Sequence, residues 1–226
     1  STFPTSANVI ARSEPVVLTE TGYSTATTPN PNSWEGVDQV TQAKLTLNTI
    51  FDSARLGLDR IYLYELFDQA DDPANASIIG NFGLFDETVD QDHYVTLSAK
   101  QAAVAVHNLT TILNADAGPF GIAPVAYTVS GLPTEGASLT INKASGWQDV
   151  VLWSEPDIWD QIADQPIAVT PTNTTIDFGG NVVSVRIYDP LQANSFIASY
   201  ENVTSVQVGI TDHPIIVEIA AVGGTQ

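Results

Sequence analysis

The hydrophobic pattern of the chain changes at residues 116–124, a segment rich in glycine and proline. Before this segment, strand-length apolar runs alternate with stretches in which apolar residues recur every three or four positions, as in amphipathic helices. After it, most stretches alternate apolar and polar residues with the period of a β-strand. We therefore predict an α/β region of βα units in residues 1–117, followed by an all-β region, an antiparallel β-sandwich, in residues 118–226.

The first region contains two strand-and-helix pairs. Residues 15–19 and 60–68 are short runs rich in apolar residues, which is typical of buried parallel strands. Apolar spacing predicts an amphipathic helix over 37–56, and Gly57 is suited to end it because glycine adopts left-handed backbone angles without steric penalty. A second helix is predicted to end near residue 113. Two βα units are too few to close a barrel.

An acidic loop is predicted within the second pair, between its strand and its helix, over residues 69–92, and Thr96 or Ser98 is the expected N-cap of that helix. Oxygen ligands at short spacing suit Ca²⁺. The acidic residues are Asp68, Asp71, Asp72, Asp86, Glu87, Asp90 and Asp92. The pattern lacks the glycine and terminal glutamate of an EF-hand loop, which favours a solvated loop, and we predict no other cofactor. The three histidines, His93, His107 and His213, lie in no metal-binding motif and are interpreted as surface or packing residues.

The second region is predicted to contain seven or eight short strands joined by turns. The predicted strands are residues 126–130, 137–142, 149–154, 167–170, 173–178, 182–188, 203–210 and 215–220. Trp153 lies in an apolar strand and is expected in the core. Trp147 and Trp159 are expected to be more accessible to solvent. An accessible aromatic ring can stack on a sugar.

Charge and composition exclude several partners. The chain has 7 Lys+Arg against 26 Asp+Glu and a formal net charge of -19, so it lacks the basic patch that nucleic acids and anionic membranes require. No apolar run approaches the roughly 20 residues of a membrane-spanning helix. The absence of cysteine and the acidic, Thr- and Asn-rich composition favour a secreted or extracellular protein.

Glu20 is the sharpest candidate for chemistry. It lies in the run Thr-Glu-Thr-Gly-Tyr at the carboxyl end of the first predicted strand, which is the end at which (β/α) barrels assemble their active sites. The same run is also consistent with a polar strand exit in which Gly22 makes a turn. The run alone leaves both interpretations open.

Four further runs accompany Glu20. They are Tyr-Glu-Leu-Phe-Asp at 64–68, Asn-Phe-Gly-Leu-Phe-Asp at 81–86, Ser-Ala-Lys-Gln-Ala at 98–102 and Leu-Trp-Ser-Glu at 152–155. In this order the five runs resemble the last quarter of clan-A glycoside hydrolases, which are (β/α)8 barrels commonly followed by a fused β-sandwich. The resemblance implies that residues 1–117 are the last two βα units of such a barrel. It covers residues 14–114 and, more loosely, the sandwich.

The resemblance implies that Glu20 is the nucleophile of a retaining glycosidase, which attacks the anomeric carbon and forms a glycosyl-enzyme intermediate. It also implies that Tyr23, Tyr64, Glu65 and Phe67 line the substrate subsites. For Glu65, an ion pair with Arg60 or a structural hydrogen bond remains an alternative.

The resemblance further implies that half of the catalytic machinery lies outside this chain. In the family the general acid/base ends an earlier strand, usually within an Asn-Glu pair, and no Asn-Glu pair occurs in this sequence. We therefore expect the C-terminal portion of a hydrolase that is inactive alone and that associates with the missing N-terminal barrel segment or with itself. The alternative is a non-catalytic extracellular module that is structural, self-assembling or carbohydrate-binding.

Overall fold

The computed structural model describes residues 14–26, 36–69, 76–114 and 124–220. These ranges form a mixed α and β structure that is mostly sheet. The glycine- and proline-rich boundary predicted at 116–124 lies almost wholly outside the described residues, so the division at residue 117 stays a prediction.

The first βα unit is confirmed as a parallel pair of strands joined by a helix. Strand β1 (Val17–Thr21) pairs in parallel with β2 (Arg60–Leu63), and α1 (Gln39–Arg55) connects them. The side chain of Asp38 caps α1 by accepting a hydrogen bond from the backbone N–H of Thr41 at 2.6 Å. Gly57 follows the helix with a positive φ of 76°, as predicted.

The predicted burial of the first strand is wrong. Most residues of β1 are exposed, and within the described part of the chain β1 and β2 form a sheet of two strands only. An apolar run reports that a strand is suited to burial, but burial itself depends on neighbouring strands and covering helices.

The N-cap prediction for the second helix is also wrong. Thr96 and Ser98 belong to β4 (Val95–Ala99), which forms an antiparallel hairpin with β3 (Phe85–Val89). Helix α2 (Gln101–Ile112) begins after Lys100, whose side chain makes no capping hydrogen bond. The cross-strand pairing of β4 with β3 therefore prevails over the local capping signal. Because β3 lies within residues 69–92, part of the predicted acidic loop is a strand.

The remaining strands are short except for two. They are β5 (Thr128–Ser130), β6 (Gly136–Asn142), β7 (Trp147–Ser154), β8 (Trp159–Asp160), β9 (Gln165–Pro166), β10 (Thr172–Tyr188), β11 (Phe196–Ile210) and β12 (Ile215–Ala220). Six of them form one antiparallel sheet in the order β11-β10-β12-β7-β6, with β5 beside β10. The strand predicted at 167–170 is absent from the assigned strands, and those predicted at 173–178 and 182–188 are one continuous strand.

The long strand β10 makes this sheet curl. Its first part pairs with β5 and its last part with β12, while β11 follows its opposite edge throughout. The register shifts between Asp177 and Val182, around Gly179, which has a positive φ of 65°. Ile176 before the shift and Ile187 after it belong to one apolar core, so the two parts of β10 enclose the same interior.

The central strands β7 and β12 are buried on both faces. Val150 and Val217 contact the interior of the curled sheet. Trp153 and Ile216, from the alternate positions, pack in a second core together with Leu47 and other residues of the two helices. Trp153 is fully buried, as predicted from the sequence. The sheet therefore serves as the platform on which α1 and α2 lie.

Buried charges join α1 to this platform. In the turn between β11 and β12, Asp212 accepts a hydrogen bond from Lys44 of α1 at 2.8 Å. The ring of His213 lies between Asp212, at 2.8 Å, and Asp189, at 3.2 Å. Burial alone would lower the pKa of His213, but the two carboxylates outweigh burial and raise it to about 9.

A second buried charge cluster joins α2 to the sheet. The Lys143 ammonium donates to the carbonyl of Ile112 at the end of α2, at 2.9 Å, and to Glu218 at 2.7 Å. It also lies 3.1 Å from Asp149, which is opposite Glu218 on the neighbouring strand. Burial raises the pKa of Asp149 to about 6, although Lys143 opposes the shift. The helix end therefore gains a partner for one of its free carbonyls.

The His213 cluster predicts that stability falls with rising pH. An unfolded histidine loses its proton near pH 6.5, whereas folded His213 retains it to about pH 9. The stabilisation is therefore complete below pH 6.5 and is lost as the pH rises through 9, by roughly 3 kcal/mol. Urea unfolding of the parent and H213Q at pH 6, 7.5 and 9 should show a difference that shrinks with pH. The exposed-histidine control, H107Q, should follow the parent, and a pH-independent H213Q difference would contradict this account.

Candidate functional site

The candidate site lies where β1 and β2 end side by side. Thr21, the last residue of β1, accepts a hydrogen bond at 2.7 Å from the backbone N–H of Tyr64, which follows β2. Glu20, one residue before the end of β1, is exposed to solvent. The carboxyl ends of two parallel strands therefore present Glu20 and the residues after β2 at one edge of the sheet.

The segments that leave β1 and β2, residues 21–23 and 64–66, are called the strand exits. Gly22 allows these two segments to approach closely. A Cβ atom at this position would lie 1.9 Å from the carbonyl oxygen of Tyr64 and 3.3 Å from the ring of Phe82. No other residue fits against that carbonyl without moving the backbone. Glycine in the Thr-Glu-Thr-Gly-Tyr run is thus required by the packing of the strand ends.

Glu65 presents a partly buried carboxyl group at the second exit. Its backbone N–H donates to the carbonyl of Phe82 at 3.2 Å, and its peptide bond with Tyr64 is cis. Its Oε1 atom is buried and has no hydrogen-bond partner among the described residues. Burial raises the pKa of Glu65, the nearby Asp68 raises it further, and Lys100 opposes both effects.

Lys100 is a fully buried cation behind the strand exits. Its ammonium lies 2.6 Å from Asp68, which follows β2, and donates to the Thr25 hydroxyl, beyond β1, at 2.7 Å. Asp86 of β3 is 3.7 Å away. Burial raises the pKa of Asp68, and the hydrogen bond from Lys100 opposes the shift. One side chain therefore connects both strand exits to the hairpin.

The aromatic candidates divide into two groups. Tyr64 packs edge-on against Phe82 with ring centroids 5.7 Å apart, and the Tyr23 hydroxyl is 2.9 Å from the hydroxyl of Thr49 on α1. Phe67 lies farther along the chain and packs against Phe85 of β3 at 6.0 Å. Tyr23, Tyr64 and Glu65 therefore accompany Glu20 at the strand exits, whereas Phe67 belongs to the base of the hairpin.

The described acidic residues in and beside the loop predicted at 69–92 do not converge. No group of three potential metal-ligating side chains occurs among the described residues. Asp68 is engaged by Lys100, while Asp90 accepts hydrogen bonds from the backbone of the hairpin turn. Asp71 and Asp72 lie outside the described residues. His93 and His107 are exposed, and His213 is the buried histidine of the α1 junction.

Beside the strand exits is a cavity of about 460 Å³. Residues after β1, in and before α1, and between β2 and β3 line it on the side of the βα region. On the other side it is lined by the loop after β7, by Trp159 of β8 and by Gln161. The lining residues include Gly22, Tyr23, Ser24, Val37, Ile78, Phe82, Asp157, Trp159 and Gln161. The cavity therefore lies between the βα region and the segment that follows β7.

Comparison with known proteins finds no matching protein-family model and no matching curated protein. None of the helices in the described part of the chain is both long enough and apolar enough to cross a membrane. The geometry of the strand exits is therefore the basis for a functional assignment.

Sequence reasoning missed the role of Lys100. The available signal is the scarcity of lysine, since the chain has three lysines against 26 acidic residues. Each of the three, Lys44, Lys100 and Lys143, forms an ion pair with a carboxylate at least nine-tenths buried. Scarcity identifies such lysines as candidates for buried pairs, but the identity of the carboxylate depends on the fold.

Replacing Lys100 with methionine should destabilise the protein. K100M keeps the length of the side chain but leaves the Asp68 carboxylate buried without its cation, at a cost of about 3–5 kcal/mol. The double variant K100M/D68N should recover much of this loss, because the amide oxygen can still accept the hydrogen bond that Asp68 receives from the Gly83 N–H. Urea unfolding measures both, and a K100M variant as stable as the parent would exclude this role.

Proposed function

We propose that this chain is the C-terminal portion of a secreted retaining glycoside hydrolase. Under this proposal, β1, α1, β2 and α2 are the last two βα units of a (β/α)8 barrel, and the curled sheet is a fused β-sandwich. The supporting observation is the parallel pair of β1 and β2, which carries exposed Glu20 at its carboxyl end and has no further strand on either edge within the described residues.

The open strand edges support the proposal on physical grounds. Parallel sheets are normally covered on both faces, and two-stranded sheets are marginal in isolation. Apolar side chains of this pair remain in solvent, with Val17 41% exposed and Tyr62 49% exposed. Leu66, just beyond β2, is 54% exposed. Further parallel strands on both edges would pair the free backbone groups and cover these side chains, as happens in a closed barrel.

The proposed chemistry assigns one carboxylate to this chain. The Glu20 oxygen attacks the anomeric carbon as the glycosidic bond breaks, and the leaving oxygen takes a proton from a second carboxyl group. Water then hydrolyses the glycosyl-enzyme ester, with the second group acting as base. Retention requires the two carboxyl groups about 5–5.5 Å apart. The second group would come from a preceding strand, so the chain alone is expected to be inactive.

The residues around Glu20 fit the binding of sugar hydroxyl groups. Tyr23 and Tyr64 follow the two strands at the same edge of the sheet as Glu20, where they would offer aromatic surface to a sugar. The buried Oε1 of Glu65 lacks a partner among the described residues and can accept a hydrogen bond from a hydroxyl group. Phe67 would contribute only at the outer end of such a site, because it lies against Phe85.

The nucleophile assignment predicts a specific covalent label. The protein, prepared with the barrel segment that precedes this chain, is incubated with 2-deoxy-2-fluoro aryl glycosides, which trap retaining nucleophiles. Mass spectrometry of the digest should locate the sugar on Glu20. E20Q should lower hydrolysis of the corresponding aryl glycoside roughly 10⁴-fold while substrate still binds, because the covalent step is lost.

The matched control is E14Q, which removes an exposed carboxylate just before β1 and should leave activity unchanged. A label on another residue, or an E20Q protein as active as the parent, would contradict the assignment. Absence of hydrolysis and of labelling with every glycoside tested would favour the non-catalytic alternative.

A self-assembling structural module is the second candidate, and the β3-β4 hairpin favours it. Every residue of β4 is exposed, including Val95 and Leu97, and Tyr94 before it is 72% exposed. Strand edges with exposed apolar side chains are templates for pairing with another chain. Such a surface accepts a second copy as readily as an N-terminal barrel segment.

Association measured on protein from its native source separates the two candidates. Light scattering with intact-mass analysis should find this chain joined to additional barrel sequence, either covalently or as a co-purifying chain, if it belongs to a hydrolase. A defined oligomer of this chain alone would favour the structural module. A monodisperse monomer of this chain would contradict both, because the apolar strand pair would then be stable in water.

A further inference from the structure

The cavity between the βα region and the segment after β7 has the size and lining of a small-molecule site. Its volume of about 460 Å³ lies within the range of roughly 300–1,000 Å³ typical of such sites. Three aromatic residues, Tyr23, Phe82 and Trp159, line it together with aliphatic side chains. It differs from the proposed catalytic position in that the loop after β7 supplies one wall.

The cavity wall is held in place by hydrogen bonds. The hydroxyl groups of Tyr23 and Thr49 are 2.9 Å apart, which fixes the tyrosine ring against α1. Buried Gln42 donates to the backbone carbonyls of Tyr23 at 2.8 Å and Gly83 at 3.2 Å. These contacts pre-organise the wall, which lowers the cost of ordering it when a ligand binds.

Trp159 has an unused hydrogen-bond donor. Its indole Nε1 is buried and has no acceptor among the described residues. A buried tryptophan N–H usually has a partner, and an unpaired buried donor needs an explanation. A bound acceptor, reached by a small rotation of the ring, would supply one.

The polar groups at this cavity favour a neutral, hydroxyl-rich ligand. Asp157 and Gln161, on either side of Trp159 in the sequence, line it and are exposed, and Ser24 also lines it. These polar groups can bond to hydroxyl groups of a ligand, whereas a purely apolar ligand would use none of them. Asp157 and the net charge of -19 oppose an anionic ligand such as a sugar phosphate or uronate. A pyranose matches both features, because its C–H face can stack on an aromatic ring while its hydroxyl groups bond to polar side chains.

We propose that this cavity binds one neutral sugar residue, with Trp159 as its principal contact. The site is formed entirely by this chain and does not depend on the catalytic assignment of Glu20. Strand β8 thereby contributes a ligand contact as well as structure. Binding should be weak, in the millimolar range, since a monosaccharide buries little surface.

Isothermal titration and saturation-transfer NMR on the full chain test the proposal. The probes are D-glucose, D-galactose, D-mannose and D-xylose, with open-chain sorbitol as a negative control. At least one pyranose should bind at one site per chain. W159F keeps an aromatic ring but removes the N–H, and should weaken binding about 5-fold, which is the effect of one hydrogen bond. W159A should weaken it more than 10-fold.

Two matched variants separate the site from general effects. W147F makes the same change at a tryptophan that stacks on Arg186, 4.5 Å from the ring centroid, and should bind as the parent does. V37W adds a large side chain at a lining residue other than Trp159 and should abolish binding, which keeps the test decisive if W159A does not fold. E14Q removes an exposed carboxylate outside both proposed sites and should leave binding unchanged. Binding is measured on this chain alone and labelling of Glu20 on the protein with its barrel segment, so failure of the catalytic proposal and failure of this one are distinguishable.

Several outcomes would overturn the proposal. They are absence of binding by all four sugars, parent-like binding by W159F and V37W, and equal weakening by W147F and W159F. Binding of the apolar probe 1-anilinonaphthalene-8-sulfonate at this cavity, with no sugar bound, would assign the cavity to an apolar ligand instead.

Discussion

The burial of β7 and β12 on both faces is the constraint on which the rest of the structure depends. One set of alternate residues closes the interior of the curled sheet, and the other set, with Trp153 and Ile216, supports the two helices. The strand pair of β1 and β2 has little packing of its own, and α1 connects its two strands. The candidate site is therefore positioned indirectly, through a helix that rests on a sheet distant in sequence.

Buried charges add direction to this apolar contact. Apolar packing has no preferred direction, whereas ion pairs and hydrogen bonds do. Lys44 forms an ion pair with Asp212 at one end of the platform, and Lys143 donates a hydrogen bond to the last turn of α2 at the other. Displacement of α1 would separate Lys44 from buried Asp212, and displacement of α2 would remove the Ile112 carbonyl from buried Lys143. This arrangement suits a chain with few cations and many carboxylates, because Lys143 lies within reach of both Asp149 and Glu218.

The strand exits combine a rigid interior with open edges. Lys100 binds Asp68 and Thr25 behind the exits, and Gly22 lets the two backbones touch. The outer edges of β1 and β2 lack neighbours among the described residues, and Glu20 is exposed between them. This open sheet edge, with Glu20 at its carboxyl end, is the basis of the proposed hydrolase function, whereas the proposed assembly function rests on the exposed β3-β4 hairpin.

The sequence by itself determined what local patterns encode. The apolar spacing and Gly57 defined α1, apolar runs located the parallel strands, and alternation identified most of the sheet and placed Trp153 in the core. Only the tertiary structure decided that β1 is exposed, that Thr96 and Ser98 lie in a strand, that residues 172–188 form one strand, and that Lys100 pairs with Asp68. Periodicity reports the preference of a short segment, whereas burial, strand pairing and ion pairing depend on which distant segment lies beside it.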